Sequence, residues 1–218
     1  MSEVDVLEDL FLIYSTRIFK ASEESILKAS SIVKDGGLIV YPTDTVYGLG
    51  CDPKNPVALR RLIGVKGERQ KPLPILASDL EVVYGVSELP KEVRRVAECF
   101  WPGPLTLVLK RRIDLPNELT CGSDSVGLRI PNHQATIKLI RLCGGLLVGT
   151  SANRTGSKPP RDVQEAFREL GDEVDIYIDG GLTPLGVSST VLDFTSTKPR
   201  VLREGPIKFE EVIKVLSR

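Results

Sequence analysis

The sequence predicts an α/β (α+β) domain in which one twisted, mixed sheet is flanked by helices. Apolar stretches rich in β-branched residues alternate with helical patterns along the chain, which is typical of helices packed on a sheet. Several predicted strands are separated by segments too short for a crossover helix, so a purely parallel sheet is disfavoured. The 218 residues contain no internal repeat and no long linker, and we expect one domain over 1–218.

The predicted helices are marked by capping residues. Ser22 or Ser25 is placed to cap the first helix, and Gly36 is placed to end it. Asn55 and Pro56 predict the start of a second helix, because proline fits the first helical position. Further helices are predicted near 91–100, 134–143, 162–170 and 208–217.

The predicted strands are short apolar runs bounded by turn residues. In chain order they are LIVYP (38–42), LPIL (73–76), LTLVLK (105–110), SVGLRIP (125–131), LLVGT (146–150), VDIYID (174–179) and STVLDF (189–194).

The composition excludes several classes of protein. The chain has 29 basic and 29 acidic residues, which argues against nucleic-acid affinity through net charge. No apolar run approaches the roughly 20 residues that span a bilayer, and the acidic start is unlike a secretory signal, so we expect a cytoplasmic protein. The four cysteines are expected to be small buried residues in a reducing compartment. The single histidine, His133, leaves little for zinc or Ser-His-Asp chemistry and is expected at the surface or in a helix cap.

The strongest local charge feature is the segment 60–71, with five basic residues and one acid, Glu68. A helix C-terminus explains one or two such cations through the macrodipole. Five cations favour an anion site instead, in a loop that contains glycine. No phosphate-binding Gly-x-x-x-x-Gly-Lys motif and no Gly-x-Gly-x-x-Gly turn is present, so side chains and helix ends would have to hold any nucleotide.

Polar clusters stand where several predicted strands end. YPTDTVYGLG (41–50) follows a buried strand and is interpreted either as a tight turn or as a set of ligand groups. Arg129 lies among apolar strand neighbours, and such an arginine commonly pairs with a carboxylate or phosphate. TSAN (150–153), SSTVLD (188–193) and LREG (202–205) add hydroxyl, amide and guanidinium groups. Each cluster alone is compatible with caps and turns, but their recurrence favours a site.

These motifs, together with WPGPLT (101–106) and the basic loop before PL, occur in the order seen in the YrdC/Sua5 family, which the chain resembles from about 22 to 206. The resemblance implies the short, single-domain YrdC form with a twisted sheet and a large concave, basic cavity. It also implies the synthesis of threonylcarbamoyl-AMP and pyrophosphate from L-threonine, bicarbonate and ATP. The product would pass to a tRNA threonylcarbamoyl-transferase complex for the t6A37 modification. Mg²⁺ is expected with the ATP phosphates rather than in a protein metal site.

The resemblance also implies roles for residues of this sequence. Thr43, Arg129 and Ser189 would bind threonine, with Arg129 on the carboxylate. Lys66 and Arg69 would act on the phosphates during catalysis. The nucleotide-binding set would be Lys66, Arg69, Ser125, Ser151, Asn153 and Arg203. The chain departs from the usual Lys-x-Arg spacing, because Lys66 and Arg69 are three apart with Lys71 close behind, and it has Ser188 where relatives often have glutamate.

Two other functions fit parts of the sequence. A concave basic surface also suits tRNA or double-stranded RNA, which would make the protein an RNA-binding module or translation factor without this activity. Few aromatic residues are available for base stacking, at 6% of the chain, and this argues against that alternative. A carbamoyl-transfer domain of hydrogenase maturation is the third function, although the zinc-binding and acylphosphatase-like segments of those proteins are absent from this sequence.

Overall fold

The computed structural model describes residues 17–67 and 71–217. Arg69 and the acidic N-terminal stretch of the chain lie outside the described residues. The helices of the described part are α1 (Glu23–Lys34), α2 (Pro56–Lys66), α3 (Leu80–Val86), α4 (Lys91–Phe100), α5 (Asn117–Thr120), α6 (Gln134–Leu142), α7 (Val163–Leu170) and α8 (Phe209–Leu216). Its strands are β1 (Ile18–Lys20), β2 (Ile39–Tyr41), β3 (Gly48–Gly50), β4 (Ile75–Ala77), β5 (Leu105–Lys110), β6 (Ser125–Arg129), β7 (Leu146–Val148), β8 (Thr150–Ser151), β9 (Ile176–Asp179), β10 (Thr190–Asp193) and β11 (Arg200–Arg203).

The helix starts follow the capping signals of the sequence. Ser22 Oγ accepts a hydrogen bond from the Ser25 amide at 3.2 Å, and Ser25 Oγ accepts from the Ser22 amide at 2.9 Å, so both serines form a capping box. Asn55 Oδ1 accepts from the first-turn amides of α2, at 3.0 and 3.1 Å. Gly36 ends the α1 segment with a φ of +84°, a conformation that glycine adopts without strain.

The strands form two mixed sheets rather than the single sheet that was predicted. The first has the order β1-β9-β2-β3-β8 and the second the order β11-β10-β5-β6-β4-β7. The chain changes sheets at Gly149, between β7 of the second sheet and β8 of the first. Parallel and antiparallel pairs occur in both sheets, which confirms the mixed α/β class. The predicted strand LLVGT (146–150) therefore contains β7 and the first residue of β8, which belong to different sheets. Apolar sequence alone does not determine which strands pair.

Two predictions about single residues have opposite outcomes. His133 is the N-cap of α6, with Nδ1 3.4 Å from the Thr136 amide, and burial lowers the pKa of its imidazole. The prediction of a cap residue is confirmed. All four cysteines are free, but Cys99 and Cys121 are exposed and only Cys51 is fully buried. The expectation of four buried cysteines is wrong, because Cys99 lies on the solvent face of α4 and Cys121 follows α5 in an exposed turn.

None of the described helices is both long enough and apolar enough to span a membrane.

Candidate functional site

Residues from both sheets line a cavity of about 740 Å³. Ligand pockets in proteins commonly have volumes of roughly 300–1,000 Å³, so this cavity can hold a sizeable small molecule. Six predicted site residues lie on its wall: Thr43, Ser125, Arg129, Ser151, Ser189 and Arg203. The charged side chains on the described wall are Lys71, Arg129, Asp193 and Arg203. The structure thus brings together polar groups that are up to 160 positions apart in the sequence.

The Tyr41 side chain forms part of the wall, and two glycines make room for it. Gly48 and Gly50 of β3 pair with β2, and a Cβ atom on either would lie 2.7–2.8 Å from the Tyr41 ring. The ring is fully buried, and its hydroxyl donates to the Val148 carbonyl at 2.7 Å. Burial raises the pKa of this phenol well above its ordinary value, so the hydroxyl stays protonated. The YGLG sequence is therefore explained by a close approach of strand to ring.

Thr43 forms the turn that leaves β2. Its Oγ1 donates to the Val46 carbonyl at 2.6 Å and accepts from the amides of Thr45 and Val46 at 3.1 and 3.2 Å. The interpretation of YPTDTVYGLG as a tight turn is confirmed, and the Thr43 side chain closes the turn. Because Thr43 also lies on the cavity wall, the turn and the ligand-binding interpretations are compatible.

Arg129, at the end of β6, is buried and held on several sides by protein. Nε donates to the Gly103 carbonyl at 2.9 Å, Nη1 donates to Thr45 Oγ1 at 2.9 Å, and Nη2 forms an ion pair with Asp44. Burial lowers the pKa of the guanidinium, while Asp44 opposes that shift. An arginine remains charged at neutral pH even so, and the wall of the cavity contains a fixed cation.

Ser189 belongs to a buried hydrogen-bond network with two neighbouring strands. Its Oγ lies 2.8 Å from Thr106 Oγ1 in β5 and accepts from Arg203 Nη2 at 3.0 Å. Arg203 Nε also donates to the Ser189 carbonyl at 2.9 Å. Ser189, just before β10, and Arg203, at the end of β11, are therefore bonded to each other on the cavity wall.

Ser125 and Ser151 occupy other parts of the wall. Ser125 Oγ lies 2.7 Å from Ser123 Oγ at the start of β6. Ser151 is half-buried at the end of β8, and its carbonyl accepts from Lys66. Asn153 is not on the described wall: its amide donates to the carbonyls of Arg154 and Ser157, at 2.8 and 2.7 Å. The structure therefore separates Ser151 from Asn153.

Lys66 is also placed away from the described wall. Its side chain is buried at the end of α2, and Nζ donates to the carbonyls of Ser151 and Asn153, at 2.6 and 2.7 Å. The lysine therefore connects α2 to the segment that follows β8. Its contact with phosphate stays a prediction.

The described cations of the basic segment 60–71 do not form one cluster. Arg60 pairs with Glu118, and Arg61 donates to both carboxylate oxygens of Asp175, at 2.7 and 2.9 Å. The interpretation of five cations as one anion site is wrong for these two, because acids from other elements pair with them. Lys71 is exposed and lies on the cavity wall.

The described residues contain no group of three or more His, Cys, Asp or Glu side chains that could hold a metal ion. Asp193 is the carboxylate on the described wall, and Thr195 and Arg200 already bond to it, at 2.6 Å each.

Sequence reasoning assigned no individual role to Asp44, Thr45 or Thr106. All three belong to quoted motifs, but the sequence gives no signal of their partners, Arg129 in β6 and Ser189 just before β10. Only the fold shows that Asp44 and Thr45 contact Arg129.

Two mixed sheets around a large cavity, with charged and hydroxyl groups on its wall, define an α/β domain with a candidate ligand site. More narrowly, the chain belongs to the Sua5/YciO/YrdC family, whose model, described as "Telomere recombination", matches residues 31–205. The predicted family is confirmed.

Named relatives and a solved structure agree with this assignment. The chain is 37% identical over 200 residues to the threonylcarbamoyl-AMP synthase of Pyrococcus abyssi (strain GE5 / Orsay), which covers 91% of this chain and 59% of that relative. It is 35% identical over 167 residues to the synthase of Halorhodospira halophila (strain DSM 244 / SL1), and the alignment covers 76% of this chain and 87% of that relative. The crystal structure of P. abyssi Sua5 complexed with L-threonine has a TM-score of 0.86 at 36% identity. The match covers 91% of this chain and 59% of that chain. The chain therefore spans about three fifths of the length of the P. abyssi protein.

Proposed function

We propose that this protein is a threonylcarbamoyl-AMP synthase, a nucleotidyltransferase that makes threonylcarbamoyl-AMP and pyrophosphate from L-threonine, bicarbonate and ATP. The observation that carries the proposal is the cavity, where the Arg129 guanidinium, several hydroxyl groups and two further cations, Lys71 and Arg203, line about 740 Å³. Relatives named for this activity, and a neighbour solved with L-threonine, support the same assignment.

The wall offers a subsite for an amino acid. Arg129 has five N–H groups, of which three make the bonds described above, so each terminal nitrogen retains one N–H. Two parallel N–H groups match the geometry of a carboxylate. Thr43 and Ser189 add hydroxyl groups to the same cavity. We assign the threonine to these three residues.

The nucleotide would occupy the remaining wall. Ser125, Ser151 and Arg203 line it. The proposed nucleotide set also includes Lys66, Arg69 and Asn153. Cations beside the triphosphate would stabilise the negative charge that develops as pyrophosphate leaves. Mg²⁺ would enter with ATP as part of the substrate, because the carboxylate on the described wall, Asp193, is already bonded within the protein.

The chemistry requires positioning more than covalent catalysis. The threonine amine and bicarbonate form a carbamate with loss of water. A carbamate oxygen then attacks the α-phosphorus of ATP, and the bond to the bridging oxygen breaks so that pyrophosphate leaves with the electron pair. Holding the reactants together can itself lower the barrier by several kcal/mol. The product would pass in the cytoplasm to a tRNA threonylcarbamoyl-transferase complex for t6A37, and direct contact of this protein with RNA remains a prediction.

The direct test is pyrophosphate release by the purified protein. We expect release from ATP that depends on both L-threonine and bicarbonate. Arg129→Lys should raise the KM for threonine at least tenfold, since lysine has no bidentate fork. Arg60→Lys is the matched control, because Arg60 pairs with Glu118 at an exposed position off the described cavity wall. Threonine-independent release, or equal threonine KM values in both variants, would contradict the proposal.

A further inference from the structure

We infer that Asp44 is a positioning residue that fixes the orientation of Arg129 for a carboxylate ligand. The inference rests on the proposed function, in which Arg129 binds the threonine carboxylate. Asp44 does not line the described cavity wall, and it would act through the arginine rather than through the substrate.

Asp44, which pairs with Arg129, is itself held through both its side chain and its backbone. Asp44 Oδ1 accepts from Arg129 Nη2 and also from the Asn132 amide at 3.1 Å, so the backbone just after β6 fixes the carboxylate. The Asp44 carbonyl accepts from the Leu185 amide at 3.2 Å. Because Asp44 is held at both its side chain and its backbone, its carboxylate is a fixed reference point for the guanidinium.

Fold stability alone does not account for this ion pair. Both side chains are buried, with 7% and 6% of their surfaces exposed, and buried pairs of this kind commonly add little net stability. Asp44 Oδ2 is also buried and has no hydrogen-bond partner among the described residues, which is unfavourable. Burying the Asp44 carboxylate costs desolvation free energy, and its contact is with the cavity arginine. We therefore explain its presence by its effect on the orientation of Arg129.

The pairing also sets the charge of the site. Asp44 and Arg129 form an ion pair with no net charge. Arg129 would therefore bind a carboxylate mainly through the direction of its N–H groups. The positive charge that balances a bound carboxylate would then come from Lys71 and Arg203 on the same wall. Under this arrangement the position of the Asp44 acceptor matters more than its charge.

Two substitutions separate position from charge. Asp44→Glu keeps the charge but moves the carboxylate by one methylene, and should raise the KM for threonine at least tenfold. Asp44→Asn keeps the acceptor oxygen and should restore the threonine KM to within threefold of wild type. The KM for ATP should stay within twofold in both. Matched controls are Asp114→Glu and Asp114→Asn, since Asp114 is fully exposed and also pairs with an arginine, Arg111.

The outcomes are distinguishable. A wild-type protein without threonine-dependent pyrophosphate release would refute the proposed function. With an active wild type, an unchanged threonine KM in Asp44→Glu, or equal damage from Asp44→Asn, would overturn the positioning role. A parallel rise in the ATP and threonine KM values would indicate general disruption and also overturn it. If Asp44→Glu fails to fold, Asp44→Ser, whose hydroxyl is too short to reach Nη2, replaces it with the same expected result.

Discussion

Replacing Gly48 by alanine tests the close approach of β3 to the Tyr41 ring. The new Cβ atom would lie 2.7 Å from Cζ and 2.9 Å from the hydroxyl oxygen, whereas ordinary contacts begin at 3.4 Å. The ring is fully buried and its hydroxyl bonds to the Val148 carbonyl, so it cannot move without disturbing the core. We therefore expect Gly48→Ala to destabilise the protein.

The magnitude follows from two contributions. Overpacking a core typically costs about 1–3 kcal/mol, and losing a buried hydrogen bond adds about 1–3 kcal/mol. The expected loss in free energy of unfolding is about 2–6 kcal/mol. For a domain of this size each kcal/mol lowers Tm by about 2–4 °C, which gives a decrease of about 4–24 °C.

Thermal and urea unfolding followed by circular dichroism measure this difference. Gly64→Ala is the matched control, since Gly64 lies on α2 with nothing within 4 Å of an added Cβ, and alanine favours a helix by about 1 kcal/mol. Its Tm should be unchanged or slightly higher. Equal melting temperatures for Gly48→Ala and wild type would refute the tight contact between Tyr41 and β3.

Three further predictions concern the basic segment, the thiols and acid stability. Lys66→Ala should lower both turnover and Tm, because Nζ bonds to two buried backbone carbonyls; a normal Tm with lost turnover would assign the lysine to phosphate alone. Iodoacetamide at pH 8 should modify Cys99 and Cys121 within minutes, while Cys51, whose pKa burial raises to about 12, should react only on unfolding; mass spectrometry of the labelled peptides decides this. Burial raises the pKa of Asp193, but its hydrogen bonds and ion pair outweigh that effect and hold it below the ordinary value. Its stabilisation should therefore be present above about pH 4 and fade below it, so Asp193→Asn should lose stability at pH 7 and approach wild type at pH 3 in urea titrations.

Local signals in the sequence predicted the larger elements well. The starts of α1 and α2 were predicted because capping depends on residues within one turn, Ser22 and Asn55. The strands β1, β3 and β11 were not predicted, since each has only three or four residues and β3 contains two glycines. The division into two sheets depends on long-range pairing that apolar runs do not encode.

The sequence indicated residues of the candidate site but not the contacts that those residues make. Thr43, Arg129 and Ser189 line one cavity, and their binding of threonine stays a prediction. The partners of Arg129 could not be predicted, because Asp44 lies 85 positions away and reaches the arginine only through the fold. For Lys66, the charge pattern favoured a cation in an anion site, whereas the structure places its amino group against backbone carbonyls. Charge along a sequence does not specify which acids or carbonyls the fold supplies.

The phenol of Tyr41 joins the two sheets as well as forming a wall. Its ring belongs to β2 in one sheet, and its hydroxyl bonds to the Val148 carbonyl in β7 of the other. The Val148 amide in turn donates to the Cys51 carbonyl at 3.0 Å, so the same point is connected from both sides. Two bonds therefore connect the sheets at this end of the cavity, one from the Tyr41 side chain and one from the backbone after β3. Under the proposed function, Tyr41→Phe would keep the ring and remove one of these two bonds. Larger amino acids should then compete better with threonine, which their relative KM values would measure.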